Sequence, residues 1–166
     1  MKEIERKFLV NNAFKSFAVN QYRITQGYLN TDPHRTVRVR QTESKGFITI
    51  KGISENNGIS REEFETEIKY SDAEKLLELS VGALVIKTRY IVPAGHLKFE
   101  VDVFEKENHG LVLAEIELTK ENEHFKKPHW LGKEITGINH FYNLQLSQNP
   151  YCDWTEDLKA QFRVRH

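Results

Sequence analysis

The chain has 166 residues, 39% of them hydrophobic and 29% charged, a balance that fits one globular domain with one core and excludes a disordered chain. Its 24 basic and 24 acidic residues cancel, which weighs against a nucleic-acid binder, and no apolar run reaches the ~18 residues of a membrane span. The opening MKEIERKFLV lacks the apolar centre of a signal peptide, and Cys152 stands alone, so neither an intrachain disulfide nor a cysteine metal cluster is expected; a cytoplasmic protein is.

Period-two alternation predicts strands over residues 3–10, 23–30, 35–42, 47–53, 61–70, 84–92, 96–104 and 111–118. Turn chemistry separates them. Asp32-Pro33-His34 breaks the chain after the second strand, because the residue before proline avoids the helical region. Lys45-Gly46, Glu55-Asn56-Asn57-Gly58 and Pro93-Ala94-Gly95-His96 read as tight connections. Between the fifth and sixth strands, Ser71-Asp72 offers an N-cap, Glu74 stands three residues after Ser71, and Leu76, Leu77 and Leu79 supply an apolar stripe. Past residue 128 the pattern changes. Thr136 or Asn139 is a candidate cap for a short helix carrying Phe141, Tyr142, Leu144 and Leu146, and residues 153–164 read as a last helix with Trp154, Leu158 and Phe162 on one side. Eight strands joined by short turns predict a mainly β fold, a closed eight-stranded antiparallel β-barrel tunnel with a few flanking helices, in one domain over residues 1–166.

Within the strands the charges recur at i and i+2, so they share a face. The first strand places Glu3, Glu5 and Lys7 opposite Ile4 and Phe8. Arg38 and Arg40 alternate with Val37 and Val39, and Lys51 with Ile48 and Ile50. The fifth strand carries Arg61, Glu63, Glu65 and Glu67. Lys87 and Arg89, Glu100 and Asp102, and Glu115 and Glu117 follow in the last three.

For any single strand the plain reading is a half-buried sheet with a solvated polar face. Three features favour another. The polar faces are mostly charge, the signs segregate into acidic and basic pairs that repel within a strand, and a sheet closed on itself encloses one face. Charges turned inward need partners. Carboxylates suit hard cations such as Mg²⁺ or Mn²⁺, guanidinium groups grip phosphate oxygens in pairs, and ammonium groups act as point charges. A metal-bound polyphosphate satisfies both sets.

The E-x-E-x-K start at Glu3-Ile4-Glu5-Arg6-Lys7 resembles the CYTH family, the triphosphate tunnel metalloenzymes. Further segments similar to the family follow in order, among them Gln26-Gly27-Tyr28-Leu29, Val37-Arg38-Val39-Arg40, Thr49-Ile50-Lys51-Gly52, Lys87-Thr88-Arg89-Tyr90, Ala114-Glu115-Ile116-Glu117 and Trp130-Leu131-Gly132-Lys133-Glu134. The likeness is to short bacterial, single-domain members; residues 11–22 and the tail after Pro150 carry no motif. It implies a tunnel that binds triphosphates with divalent metal. Metal ligands carry over to Glu3, Glu5, Glu115 and Glu117, with Glu63 and Glu65 as a second acidic pair. Glu100 and Asp102 form a third of open role. Substrate contacts carry over to Lys7, Arg38, Arg40, Lys51, Arg61, Lys87 and Arg89.

The expected activity is metal-dependent hydrolysis of inorganic triphosphate or another short triphosphate. The alternatives are a class IV-type adenylate cyclase, a thiamine triphosphatase and a non-catalytic polyphosphate-binding module. The partner expected is a small triphosphate, with neither nucleic acid nor membrane; an oligomer is compatible with the sequence. Tyr28 is a candidate to move a proton with Lys87 and equally a wall residue. The histidines, His124, His129 and His140 included, are read as solvated or capping, and Trp130 and Trp154 as packing anchors.

Overall fold

A computed structural model of the chain describes residues 2–162. The strands are β1 (Lys2–Val10), β2 (Asn20–Tyr28), β3 (Arg35–Gln41), β4 (Gly46–Gly52), β5 (Ser60–Ile68), β6 (Val81–Ala94), β7 (Leu97–Phe104), β8 (Val112–Glu117) and β9 (Leu131–Glu134). The helices are α1 (Tyr70–Leu77), α2 (Asn143–Gln148) and α3 (Glu156–Phe162). The pairing runs β5-β4-β3-β2-β6-β7-β8-β1-β9, and a further β1–β5 pairing closes the first eight strands into an antiparallel ring. β1 makes the closure possible. Lys2–Ile4 pair with β5, while Glu5–Leu9 pair with β8. Farther along β1, past the β5 pairing, β9 joins at Phe8 and Val10.

All eight predicted strands are present, with ends shifted by up to three residues. β9 was not predicted: at four residues, with Gly132 and Lys133 in the middle, it has too little alternation to read. α1 starts at Tyr70, one residue before the proposed cap. Lys69 is its N-cap, and its carbonyl accepts the first bonds, from the N–H groups of Asp72 and Ala73. The predicted helix around Phe141 is broken. Asn139–Phe141 form a single 3₁₀ turn, Tyr142 is extended (φ −69°, ψ 139°), and α2 begins after it. Thr136 does not cap: its hydroxyl accepts the Lys7 N–H at 2.9 Å and donates to Glu134 at 2.7 Å. In the tail, Thr155 caps α3 through the Leu158 N–H; the expected end at Val164 lies outside the described residues.

Two glycines tie the C-terminal segment to the ring. Gly58 (φ +90°) and Gly137 (φ +77°) pack backbone against backbone, and a Cβ on either would strike the other turn. The apolar core is divided. Outside the ring, Phe8, Phe99 and Ile116 pack with Phe14 and Trp130, and Val39 packs under Ala73 and Leu77 of α1. Inside it, the alternation that turns Lys7, Lys87, Asp102 and Glu115 inward also turns Leu9, Val85, Phe104 and Leu113 inward. Those residues meet Phe141, Leu146 and Trp154, so the C-terminal segment seats in one end of the ring. The inward face is therefore charged along most of its length and apolar at that end. No described helix is long and apolar enough to cross a membrane.

Candidate functional site

The ring encloses a cavity of about 180 Å³. Lys7, Arg38, Arg40, Lys51, Arg61, Lys87 and Arg89 all line it, as do Glu3, Glu5, Glu63, Glu65, Glu115, Glu117 and Tyr28. Period two on seven strands, plus closure, is sufficient to bring them together. Glu67 is the member of the alternating series that leaves: it lies exposed near the end of β5, 3.9 Å from exposed Lys45.

The deepest network centres on Asp102, which is 1% exposed and lies on the inward face against Arg89 and Lys87. Its Oδ1 accepts from Arg89 Nε at 2.8 Å and its Oδ2 from Arg89 Nη2 at 2.9 Å. Lys87 Nζ lies 2.8 Å from the same Oδ2. Glu100 takes the remaining side of Arg89 at 2.6 Å. Burial pushes the Asp102 carboxyl up, but Arg89 and Lys87 outweigh it and hold it below the ordinary carboxylate range. Burial likewise pulls the Lys87 amine down to about 8, against the opposing pull of Asp102. Asp102 thus orients cations, a role the sequence left open.

Other carboxylates are also paired. Glu3 accepts from Lys51 at 2.8 Å and lies 3.7 Å from Arg61; Lys51 also reaches Glu63 at 3.4 Å. Glu65 holds Arg40 at 3.0 Å and accepts the Thr49 hydroxyl at 2.7 Å. Glu115 lies 3.3 Å from Lys7, its cross-strand neighbour, and despite burial is held far below the usual range by Lys7, Arg89 and Lys87.

Two places are not balanced. Glu5 and Glu117 stand directly opposite each other on β1 and β8, and neither carboxylate has a hydrogen-bond or ion-pair partner among the described residues. Burial, then Glu115 and Glu3, push the Glu5 carboxyl up to about 8; burial, Glu3, Glu100 and Glu63 raise Glu117 as well. Like charges facing across a ladder are destabilising, so this pair carries uncompensated negative charge when ionised. On the cationic side, burial, Arg38 and Arg89 lower the Arg40 guanidinium, and the buried Nε atoms of Arg38 and Arg40 have no partner. That side carries uncompensated positive charge. No three acidic, histidine or cysteine side chains among the described residues converge as a ready cation cage. The carboxylates suit a hard cation through their oxygen chemistry and unbalanced charge.

Tyr28 is buried in the wall, beside a register shift in β2. Gly27 permits this course, because a Cβ there would collide with the Ser80 side chain. Tyr28 makes no hydrogen bond to Lys87, whose partners are Asp102 and Asn143. Sequence reading missed Tyr22, Thr36, Tyr142 and Asn143, which also line the cavity. Tyr22 fell just outside the predicted strand, and Thr36 extends the 38, 40 series by one step. Tyr142 and Asn143 have no periodic signal. The histidines stand apart: His96 bonds Glu123 at 2.8 Å at the surface, His129 packs on Phe17, and His140 packs on Trp154. Both tryptophans are packing anchors.

A closed antiparallel ring whose lumen carries both acids and bases, most of them paired, defines a charged-tunnel β-protein. The family model described as the CYTH domain matches residues 1–147, and the chain belongs to that family. It is 46% identical over 158 residues to an inorganic triphosphatase of Acetivibrio thermocellus, covering 93% of this chain and 99% of the relative. It is 37% identical over 152 residues to an inorganic triphosphatase of Nitrosomonas europaea, covering 89% and 97%. The crystal structure of an inorganic triphosphatase superposes with a TM-score of 0.63 at 33% identity, covering 87% of this chain and 93% of that one.

Proposed function

We propose that this protein hydrolyses inorganic triphosphate to pyrophosphate and phosphate with Mg²⁺ or Mn²⁺. The observation that carries this reading is the double imbalance of one cavity, with unpartnered Glu5 and Glu117 on one wall and under-satisfied Arg38 and Arg40 on another. Tripolyphosphate with a divalent cation neutralises both. The names of relatives that match nearly end to end support the same substrate.

Glu5 and Glu117, with Glu3, Glu63, Glu65 and Glu115 around them, would hold the cation. When bound, it polarises phosphate oxygens and lowers the pKa of a bound water. The remaining work falls to the chain. Arg38 and Arg40 present planar forks to phosphate oxygens; Lys7, Lys51, Arg61 and Arg89 add charge along the same anion. Enclosure by the ring strengthens each contact, and fixed charges need no reorganisation as negative charge shifts toward the leaving pyrophosphate. Lys87, held by Asp102, presents an ammonium to that developing charge. Tyr28 supplies a phenol in the wall as a candidate proton carrier.

The test is turnover of tripolyphosphate, ATP and thiamine triphosphate, each with Mg²⁺, Mn²⁺ or chelator. Metal-dependent release of phosphate and pyrophosphate from tripolyphosphate, with slow ATP turnover, is expected. Cyclic AMP from ATP would instead establish a cyclase, and tight binding without turnover a polyphosphate-binding module.

A further inference from the structure

We propose that Asn143, at the start of α2, is a positioning residue for Lys87 and couples the closed end of the tunnel to the reaction. The inference rests on the triphosphatase reading above. Lys87 is 1% exposed, and its ammonium has three N–H donors. One is directed to Asp102 at 2.8 Å, and a second donates to Asn143 Oδ1 at 3.2 Å. Two fixed acceptors on a three-donor group determine where the third points. Both acceptors come from other elements than the lysine, and Asn143 comes from outside the ring of strands.

The chemistry of the second acceptor matters. Asp102 is already shared with Arg89. A carboxylate at position 143 would add a negative charge that repels the anion, whereas a carboxamide orients the ammonium without adding charge. Asn143 is also held firmly. Phe141, two residues earlier, is 1% exposed and packs edge-on against Trp154 and Phe162. The Phe141 carbonyl accepts from Lys7 Nζ at 3.2 Å. The tripeptide from Phe141 to Asn143 therefore touches lysines from β1 and β6 at once, and the aromatic cluster behind it sets its position.

The experiment compares tripolyphosphate hydrolysis by the full chain and by Asn143→Leu, each also with Lys87→Met. Loss of a hydrogen bond to a charged group predicts a fall in kcat of about 10- to 100-fold, with KM within about twofold. In the Lys87→Met background the same change should cost less than about twofold, because there is no ammonium left to place. Asn143→Ala repeats the test should leucine not be accommodated. Asn143→Asp restores the acceptor and should recover kcat while raising KM through repulsion of the anion. Wild-type kcat in Asn143→Leu, or equal losses in both backgrounds, overturns the positioning role and leaves the triphosphatase reading standing. Absence of turnover in the unmodified protein overturns both.

Discussion

Replacing Asp102 by Asn probes the most enclosed charge network. The carboxylate takes two bonds from Arg89 and a third contact from Lys87, all between 2.8 and 2.9 Å. Removing one partner of a buried pair costs about 3–5 kcal/mol, because the other charge is left uncompensated. Arg89 keeps Glu100 at 2.6 Å, and Lys87 keeps Asn143. That retained support places Asp102→Asn at the low end, about 3 kcal/mol, or a fall in Tm of roughly 6–12 °C for a chain of this size. Thermal unfolding followed by circular dichroism, in chelator at neutral pH, measures it. Tripolyphosphate should narrow the gap, since its oxygens take over the uncompensated cations. The pH dependence has a definite sign. The folded carboxyl is held below its ordinary range, so its stabilisation is present above that range and lost as pH falls through the folded value. The difference between parent and variant should therefore shrink in acid. An unchanged Tm at neutral pH, or a gap that widens in acid, would refute the reasoning.

Glu5→Gln should remove metal-dependent turnover and leave the fold intact. Because the folded Glu5 carboxyl is raised to about 8, its stabilisation is full below the unfolded value near 4.5 and is lost as pH rises through 8. The metal-free parent should thus lose stability across that window, and the glutamine variant should show a flatter profile by denaturant titration. Tyr28→Phe keeps the ring and removes the hydroxyl; a proton-transfer role predicts a loss in kcat of about 100-fold or more, and a wall role predicts rates near the parent's. Glu67→Gln should change neither turnover nor stability beyond about 0.5 kcal/mol, since its one ion pair among the described residues is exposed, at 3.9 Å.

Much of the strand layout was legible because side-chain direction in a strand is a local property. Arg38 and Arg40 flank Val39 and must share a face, and Glu115 and Glu117 flank Ile116 in the same way. Turn residues bounded the strands for a similarly local reason. β9 and the break at Tyr142 were not legible, since a four-residue strand and an extended residue between two short helices carry no period. The cap of α1 also escaped, because Ser71 and Asp72 had the right chemistry two and three residues past Lys69, where the helix is capped.

By itself, then, the sequence determined which charges share a face, and its motifs pointed to the family whose tunnel uses such faces. Only the tertiary structure decided which charges face each other across strands. The β1–β8 register set Glu5 against Glu117, and closure through β1 and β5 gave Glu3 to Lys51 and Arg61. The β6–β7 register put Asp102 against Arg89 and Lys87 as an orienting group, and the seating of the C-terminal segment brought Asn143 to Lys87. Facing is a local consequence of backbone alternation, whereas pairing depends on strand register and on which segment fills the end of the ring. Those are fixed only when distant parts of the chain pack together.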